Sequence, residues 1–468
     1  MTIANDIIHG RIPAFAAYLQ SGESLDDIDE YGFTPLIESV LAQRLDIMKQ
    51  LVEFGVNVNK PDMAGRTALQ WAVDNQLFEM SEFLLEHGAN PNAFTRQGFS
   101  ALVYPILRHD EKFKRLLIQH GASIVFAQDF IAAKLLGHRF SLKGTVDVVT
   151  PLGEMMEVFY EGFVLEFTVA TLENSLGRFM QHFAARRWKS ELPLAKKILE
   201  AFQHADQLLT LQRMVQSNRR YHDELAQISE APLWILPAAS SGHAMGFIRY
   251  QNWFAKIDRG ENSLREGSIN IYEIHNTHVI NAQFLDDFIF RRQPRNYFHE
   301  IINHILGLKK IATLPMSSQI TGNCSWANME ACIAVSHWML SVYPEPNLEQ
   351  RETGAFYMAW LRWDQDRSIE ELIAAYQTAD KLRKASMISM LCGVLFQHLE
   401  SDKIRDVPRA EKILNTILSS EYVYVLQSYL DVYCDVNRQT AHGQNLLQLM
   451  DSCGYDPYQL GLSLPQPK

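Results

Sequence analysis

Gly32-Phe33-Thr34-Pro35-Leu36, Gly65-Arg66-Thr67-Ala68-Leu69 and Gly98-Phe99-Ser100-Ala101-Leu102 are one phrase written three times at a step of 33 residues. A second phrase keeps the same step: Glu53-Phe54-Gly55-Val56-Asn57, Glu86-His87-Gly88-Ala89-Asn90 and Gln119-His120-Gly121-Ala122-Ser123, with Gly22 in phase ahead of them. The first glycine of each unit suits a turn, the following Thr or Ser caps a helix, and the second glycine stops a second helix. A unit this short cannot bury its apolar face alone, so the units must stack. Residues 3–25 lack the first glycine phrase and read as the N-terminal cap of the stack.

This text resembles the ankyrin repeat, at its diagnostic length. The resemblance implies an all-α solenoid of four units over residues 1–125, and binding of other proteins. Within the first helix of each unit, the variable position facing the concave side falls on Glu38, Trp71 and Tyr104. Trp and Tyr are typical contact hot spots, so these three form the expected partner-binding column. The competing expectation is that the following domain covers Tyr104.

The whole chain has 468 residues, 47 % of them hydrophobic, which is enough for several domains with real cores and excludes a disordered protein. A net charge of -11 argues against non-specific nucleic-acid binding, and Arg186-Arg187, Arg219-Arg220 and Arg291-Arg292 read as solvated helix faces. Five cysteines without close pairs make no disulfide framework and fit a reducing compartment. His275 with His278, and His299 with His304, lack further ligands at recognisable spacing, so neither a metal nor another cofactor is expected. No apolar run is long enough to span a membrane, and the first residues carry no secretory pattern.

Beyond residue 123 the repeat stops. Gly144–Val149 and Phe159–Thr168 alternate and read as strands, followed by helical text to about residue 230. Strands return at Trp234–Pro237, His243–Tyr250, Trp253–Asp258 and Ile269–His275. Residues 126–345 therefore read as an α+β domain. Pro344-Glu345-Pro346-Asn347 marks a boundary, and 346–468 reads as an all-α, repeat-like C-terminal domain.

Chemistry concentrates at Gln319-Ile320-Thr321-Gly322-Asn323-Cys324-Ser325-Trp326, where a glycine turn delivers a cysteine to the start of a helical run. Peptide dipoles at a helix N-terminus favour the thiolate. His243 opens a strand upstream. If Gln251-Asn252 is a two-residue turn, Met245 stands opposite Asp258, and Asp258 shares the His243 face one diagonal step away. Asp258 can then accept the Nδ1 proton of His243 and leave Nε2 for the thiol. Glu261 and Asn262 are the fallback orienting residues. Gln319, five residues before Cys324, is placed to donate to an oxyanion together with the Cys324 N–H. The opposite order, with the cysteine first, would need His398 or His442, and both lie in helical text.

The order His243, Asp258, Gln319, Cys324 resembles the fold family of ubiquitin-like-protein proteases, adenovirus-type proteases and related bacterial acetyltransferase effectors. Ser325 stands where that family usually has glycine, Ala244 where tryptophan is common, and Gln319 is one residue nearer the cysteine. Taken whole, the chain resembles the ankyrin-repeat effectors of Legionella that carry a cysteine-protease-like domain. The block Leu135-Leu136-Gly137-His138-Arg139-Phe140 and the Gly322-Asn323-Cys324-Ser325-Trp326 elbow belong to that likeness. The resemblance implies delivery into a host cell by a type IV secretion system, a site in the host cytoplasm or nucleus, and host proteins as partners, including nuclear transcription machinery. Three functions stay open: a cysteine protease or isopeptidase whose ankyrin array recruits a host protein, a non-enzymatic scaffold, and an acetyltransferase using the same Cys-His-acid set. Arg291-Arg292 and Lys309-Lys310 are the candidate phosphate contacts for the last.

Overall fold

A computed structural model describes residues 3–22, 24–214, 221–240, 242–260, 267–319, 322–346, 353–434, 440–457 and 462. Four helix pairs follow the period of 33: α1 (Ile3–Ile8) with α2 (Phe15–Gln20), α3 (Pro35–Leu41) with α4 (Leu45–Glu53), α5 (Ala68–Asp74) with α6 (Phe78–Glu86), and α7 (Val103–Leu107) with α8 (Glu111–Gln119). Thr34 and Thr67 cap α3 and α5 as expected, by accepting the Ile37 and Gln70 N–H groups. Ser100 does not cap α7, which starts late at Val103; Pro105 in its first turn supplies no N–H to bond. The turn glycines Gly32, Gly65 and Gly98 all have φ near 90° (89°, 86° and 88°), a region that L side chains rarely adopt. Side-chain amides tie one repeat to the next. Asn59 accepts from the Asn90 N–H and donates to the Gly88 carbonyl, and Asn92 does the same for Ser123 and Gly121.

The chain divides into two units, residues 1–133 with 145–159, and residues 134–144 with 160–468. The first holds the repeats and a hairpin of β1 (Thr145–Val149) and β2 (Met155–Phe159). Its helix α9 (Ile124–Arg139) contributes to this unit as far as Ala133. The expected first boundary at residue 125 is therefore displaced. Phe99 packs on Phe130 at 4.8 Å, and a Cβ on Gly98 would strike both Phe130 and Met156, so the α9 residues and the hairpin close the end of the stack.

The second unit is built on a five-stranded antiparallel sheet in the order β3 (Leu233–Ser240), β4 (His243–Tyr250), β5 (Trp253–Ile257), β6 (Ile269–Ile274), β7 (Leu308–Leu314). The first four strands fall where the sequence alternates. Edge strand β7, with its exposed Lys309 and Lys310, does not stand out in the sequence. Tyr250 pairs with Trp253 and Phe247 with Lys256, so the hairpin turn is the two-residue Gln251-Asn252. Phe163–Thr168, expected as strand, instead leads into α10 (Leu165–Gln181). Its Phe167, Leu172, Leu176 and Phe179 are buried, and a helical stripe of that kind outweighs local β propensity.

α10 packs with α11 (Leu192–Met214) on one face of the sheet; α12 (Tyr221–Ser229), α13 (Ala282–Ile289) and α14 (Ile302–Leu306) lie with the other core cluster. The cysteine helix α15 (Cys324–Val342) runs against β4. The expected boundary at 345 does not separate a domain. Phe356, Tyr357 and Trp360 of α16 (Thr353–Thr378) belong to the same apolar cluster as Trp326, Met329 and Val342. Buried Asp364 of α16 accepts from Arg139 at 2.6 Å and from Ser175 at 2.6 Å. The remaining helices are α17 (Lys381–Gln397), α18 (Val407–Leu418), α19 (Val423–Tyr433) and α20 (Ala441–Ser452). His398 just after α17 bonds the Phe140 carbonyl at 2.8 Å, so this helical region continues the second unit. No helix among the described residues is long and apolar enough to cross a membrane.

Candidate functional site

Gly322, at φ 81°, turns the chain into α15, and its carbonyl accepts the Gly162 N–H at 2.9 Å. Cys324 is the first residue of the helix. The preceding Asn323 makes no side-chain cap, so the first-turn N–H groups around Cys324 are left for other acceptors. His243 opens β4, and Asp258 directly follows β5. These three residues, far apart in sequence, come together. His243 Nε2 lies 2.8 Å from Asp258 Oδ1, and the Ala244 N–H donates to Cys324 Sγ at 3.4 Å.

The ring is turned the opposite way from the sequence expectation. Nε2, not Nδ1, meets the carboxylate, which leaves Nδ1 for the thiol. The reason is reach. Cys324 lies against the backbone of Ala244 and so on the near side of the imidazole, while Asp258 stands a diagonal step away and meets the far nitrogen.

The electrostatics follow from these contacts. Asp258, and then Cys324, raise the His243 pKa to about 9, against the cost of burying its charge. Burial pushes the Cys324 thiol up, but the His243 hydrogen bond and the Ala244 N–H outweigh it and hold the pKa below the ordinary thiol value. Burial likewise works against the Asp258 carboxylate, and His243 with the Gly260 N–H brings it down. Both shifts act in the direction of a thiolate beside an imidazolium, itself held by a carboxylate.

Gln319 is less directly placed. Its N–H donates to the Arg259 carbonyl at 2.9 Å, and its side-chain oxygen is buried without a protein partner. With Asn323, Arg259, Glu330 and Tyr357 it lines a cavity of about 400 Å³. Among the described residues no hydrogen bond joins its amide to Cys324 or His243. The fallback residues Glu261 and Asn262 lie outside the described residues. His398 and His442 sit on the helical part of the unit; His398 is tied to Phe140 and Gln365, and the His442 ring lies tilted against Phe396 at 5.4 Å.

Sequence reasoning missed two contributors. A Cβ on Gly260 would stand 2.8 Å from the His243 ring, so only glycine leaves the imidazole its place. Asn328, one turn into α15, is fully buried and bonded on both sides. A glycine near the acid was the one available hint.

At the expected ankyrin column, arginines lie over the two aromatic rings. The Arg66 guanidinium lies 3.8 Å over the Trp71 ring, and Arg108 lies 5.0 Å over Tyr104; Asp74 bridges the two arginines at 2.8 Å each. Trp71 and Tyr104 are half-buried. Glu38 departs from the expectation. It is 5 % exposed, and burial together with Asp29 raises its pKa to about 7, so it offers no open surface for a partner. The reason is its position in α3, where its side chain sits against the Asp29 turn rather than beyond it.

Comparison with known proteins agrees with the architecture. The ankyrin-repeat family matches residues 6–95 and 64–127 in three copies. No curated protein matches the chain. The solved structure of the Legionella effector AnkH is 48 % identical, covers 100 % of both chains, and superposes with a TM-score of 0.84. A solenoid with that repeat, followed by a second unit and matched from end to end at this identity, places the chain in one family: it belongs to the AnkH family of Legionella effectors.

Proposed function

We propose that the second unit is a cysteine-protease-like domain that cleaves an amide or isopeptide bond in a host protein recruited by the ankyrin unit. One observation carries this reading: His243 stands between Asp258 and Cys324 at the start of a helix. The Cys324 thiolate attacks the scissile carbonyl, and the oxyanion meets the N–H groups of the first helical turn. The imidazolium gives its Nδ1 proton to the leaving amine. Neutral His243 then takes a proton from water, the hydroxide displaces the thiolate from the acyl-enzyme, and the acid product leaves. Gln319 is proposed to assist at the oxyanion once substrate fills the cavity beside it. Entry into the host by a type IV system, and nuclear partners, belong to the same proposal and rest on the family likeness.

The test is a panel of ubiquitin-like probes with C-terminal electrophiles and of coenzyme A thioesters, applied to the full chain and to Cys324→Ser. Labelling by a ubiquitin-like probe that vanishes in the variant supports hydrolysis. Acylation by the thioester alone supports acetyl transfer. Failure of both to label Cys324 overturns enzymatic readings and leaves a scaffold.

For the ankyrin unit the proposed contact pair is Trp71 and Tyr104. Trp71→Ala should weaken a captured partner by at least about 2 kcal/mol. The loss must appear in a binding titration while the thermal transition of the chain stays in place, because Trp71 also packs on Phe33 at 5.7 Å. Unchanged affinity would remove the column from consideration.

A further inference from the structure

Asn328 lies wholly inside the second unit, on the turn of α15 that follows Cys324. Buried asparagines are costly unless both ends of the amide are bonded. Here both are. Its Nδ2 donates to the Ala244 carbonyl at 2.7 Å, and its Oδ1 accepts the Arg259 N–H at 2.9 Å. Ala244 is the residue after His243, and Arg259 is the residue after Asp258. A single side chain on the cysteine helix therefore grips the backbone beside each of the other two members of the site.

The grip is continuous with the site's own contacts. The Ala244 peptide that Asn328 holds by its carbonyl offers its N–H to Cys324 Sγ at 3.4 Å. Asp258 Oδ1 accepts from the Gly260 N–H at 3.0 Å, just past the Arg259 peptide that Asn328 holds. Close approach makes the span possible. A Cβ on Gly246 would stand 2.8 Å from Cys332 Sγ and 3.1 Å from the Asn328 carbonyl, so the helix lies against β4 nearer than a side chain there would allow.

We infer that Asn328 is a positioning residue that sets the separation of the Cys324 sulfur from the His243 ring by clamping β4 and the segment after β5 to the cysteine helix. It touches none of the reacting atoms. Its effect runs through the geometry of the ion pair, and such a pair weakens steeply when a fixed contact loosens. This inference rests on the proposed thiolate–imidazolium site, and the test separates the two.

Full-length protein is alkylated with iodoacetamide across pH 5 to about 9.5, the rate at Cys324 being read by peptide mass spectrometry. Asn328→Ala, Asn328→Ser and a core-truncating control, Leu176→Ala, are compared with the unaltered chain, with thermal transitions recorded for each. Serine fills part of the space and can satisfy its hydroxyl on the carbonyl one turn back, so it serves where alanine does not fold. Both Asn328 variants are expected to move the inflection of the Cys324 profile upward by about one pH unit or more, and to slow alkylation at pH 6 about tenfold. Leu176→Ala should lower the transition yet keep the profile. Asn328 variants that lose stability but keep the wild-type profile would overturn the inference. If Cys324 in the unaltered chain reacts no faster than Cys453, the proposed site itself fails.

Discussion

Iodoacetamide at pH 6 should modify Cys324 at least about 50 times faster than any other cysteine of the folded chain. An ordinary thiol with a pKa near 8.5 is only about 0.3 % thiolate at that pH, and only the thiolate reacts. The His243 and Ala244 contacts hold Cys324 below the ordinary value. A lowered pKa means the thiolate persists as pH falls, so the rate should drop only once pH passes below the folded Cys324 value. His243 has its pKa raised to about 9, so the imidazolium persists through neutral pH. The fair comparison is Cys453, which is half-exposed like Cys324 but whose pKa burial raises. Cys332, Cys392 and Cys434 are buried, and burial raises each of them too. Comparing Cys324 with Cys453 thus separates electrostatics from access. His243→Ala should bring Cys324 close to Cys453. Equal rates in the unaltered chain would reject the ion pair.

What could be read from the sequence had a period or an alternation behind it. The step of 33 fixed the helix pairs, because every unit repeats the same turn and cap chemistry. The alternation from His243 to Tyr250 and the short gap before Trp253 set the register that brings Asp258 to the His243 side. What could not be read depends on tertiary packing. Phe163–Thr168 carries β-forming residues, yet α10 forms because its buried stripe fills the core beside the sheet. The stretch after Pro346 looks separate by composition, but Phe356 and Trp360 complete the core around Trp326. Glu38 holds the concave position by period and is nonetheless buried beside Asp29. Asn328 looks like any polar residue in a helix, and only the fold shows which two backbones it joins.

Asp258→Asn should slow acylation of Cys324 by its active-site probe about 10³-fold, with the fold intact. Asn can present an oxygen where Asp258 Oδ1 now accepts from His243 Nε2 and from the Gly260 N–H. Orientation of the ring would survive, and the change isolates the charge. The hydrogen bond to Asp258 is the first cause of the raised His243 pKa, and the carboxylate charge raises it further. Without that charge the imidazolium gives up its proton at lower pH, the thiolate loses its main counter-charge, and the pair reverts to neutral thiol and imidazole. Asp258→Ala removes orientation as well and should be slower still. Glu261→Gln and Asn262→Ala are the comparators, since either residue would replace Asp258 had the hairpin turn been longer. The paired residues Tyr250 and Trp253 leave room for only two between them, which keeps Asp258 next to the ring. Acylation that survives both Asp258 variants but disappears with Glu261→Gln or Asn262→Ala would move the orienting role to the later segment. Acylation that falls equally in Asp258→Asn and Asp258→Ala would mean that charge alone, and not ring orientation, is what Asp258 contributes.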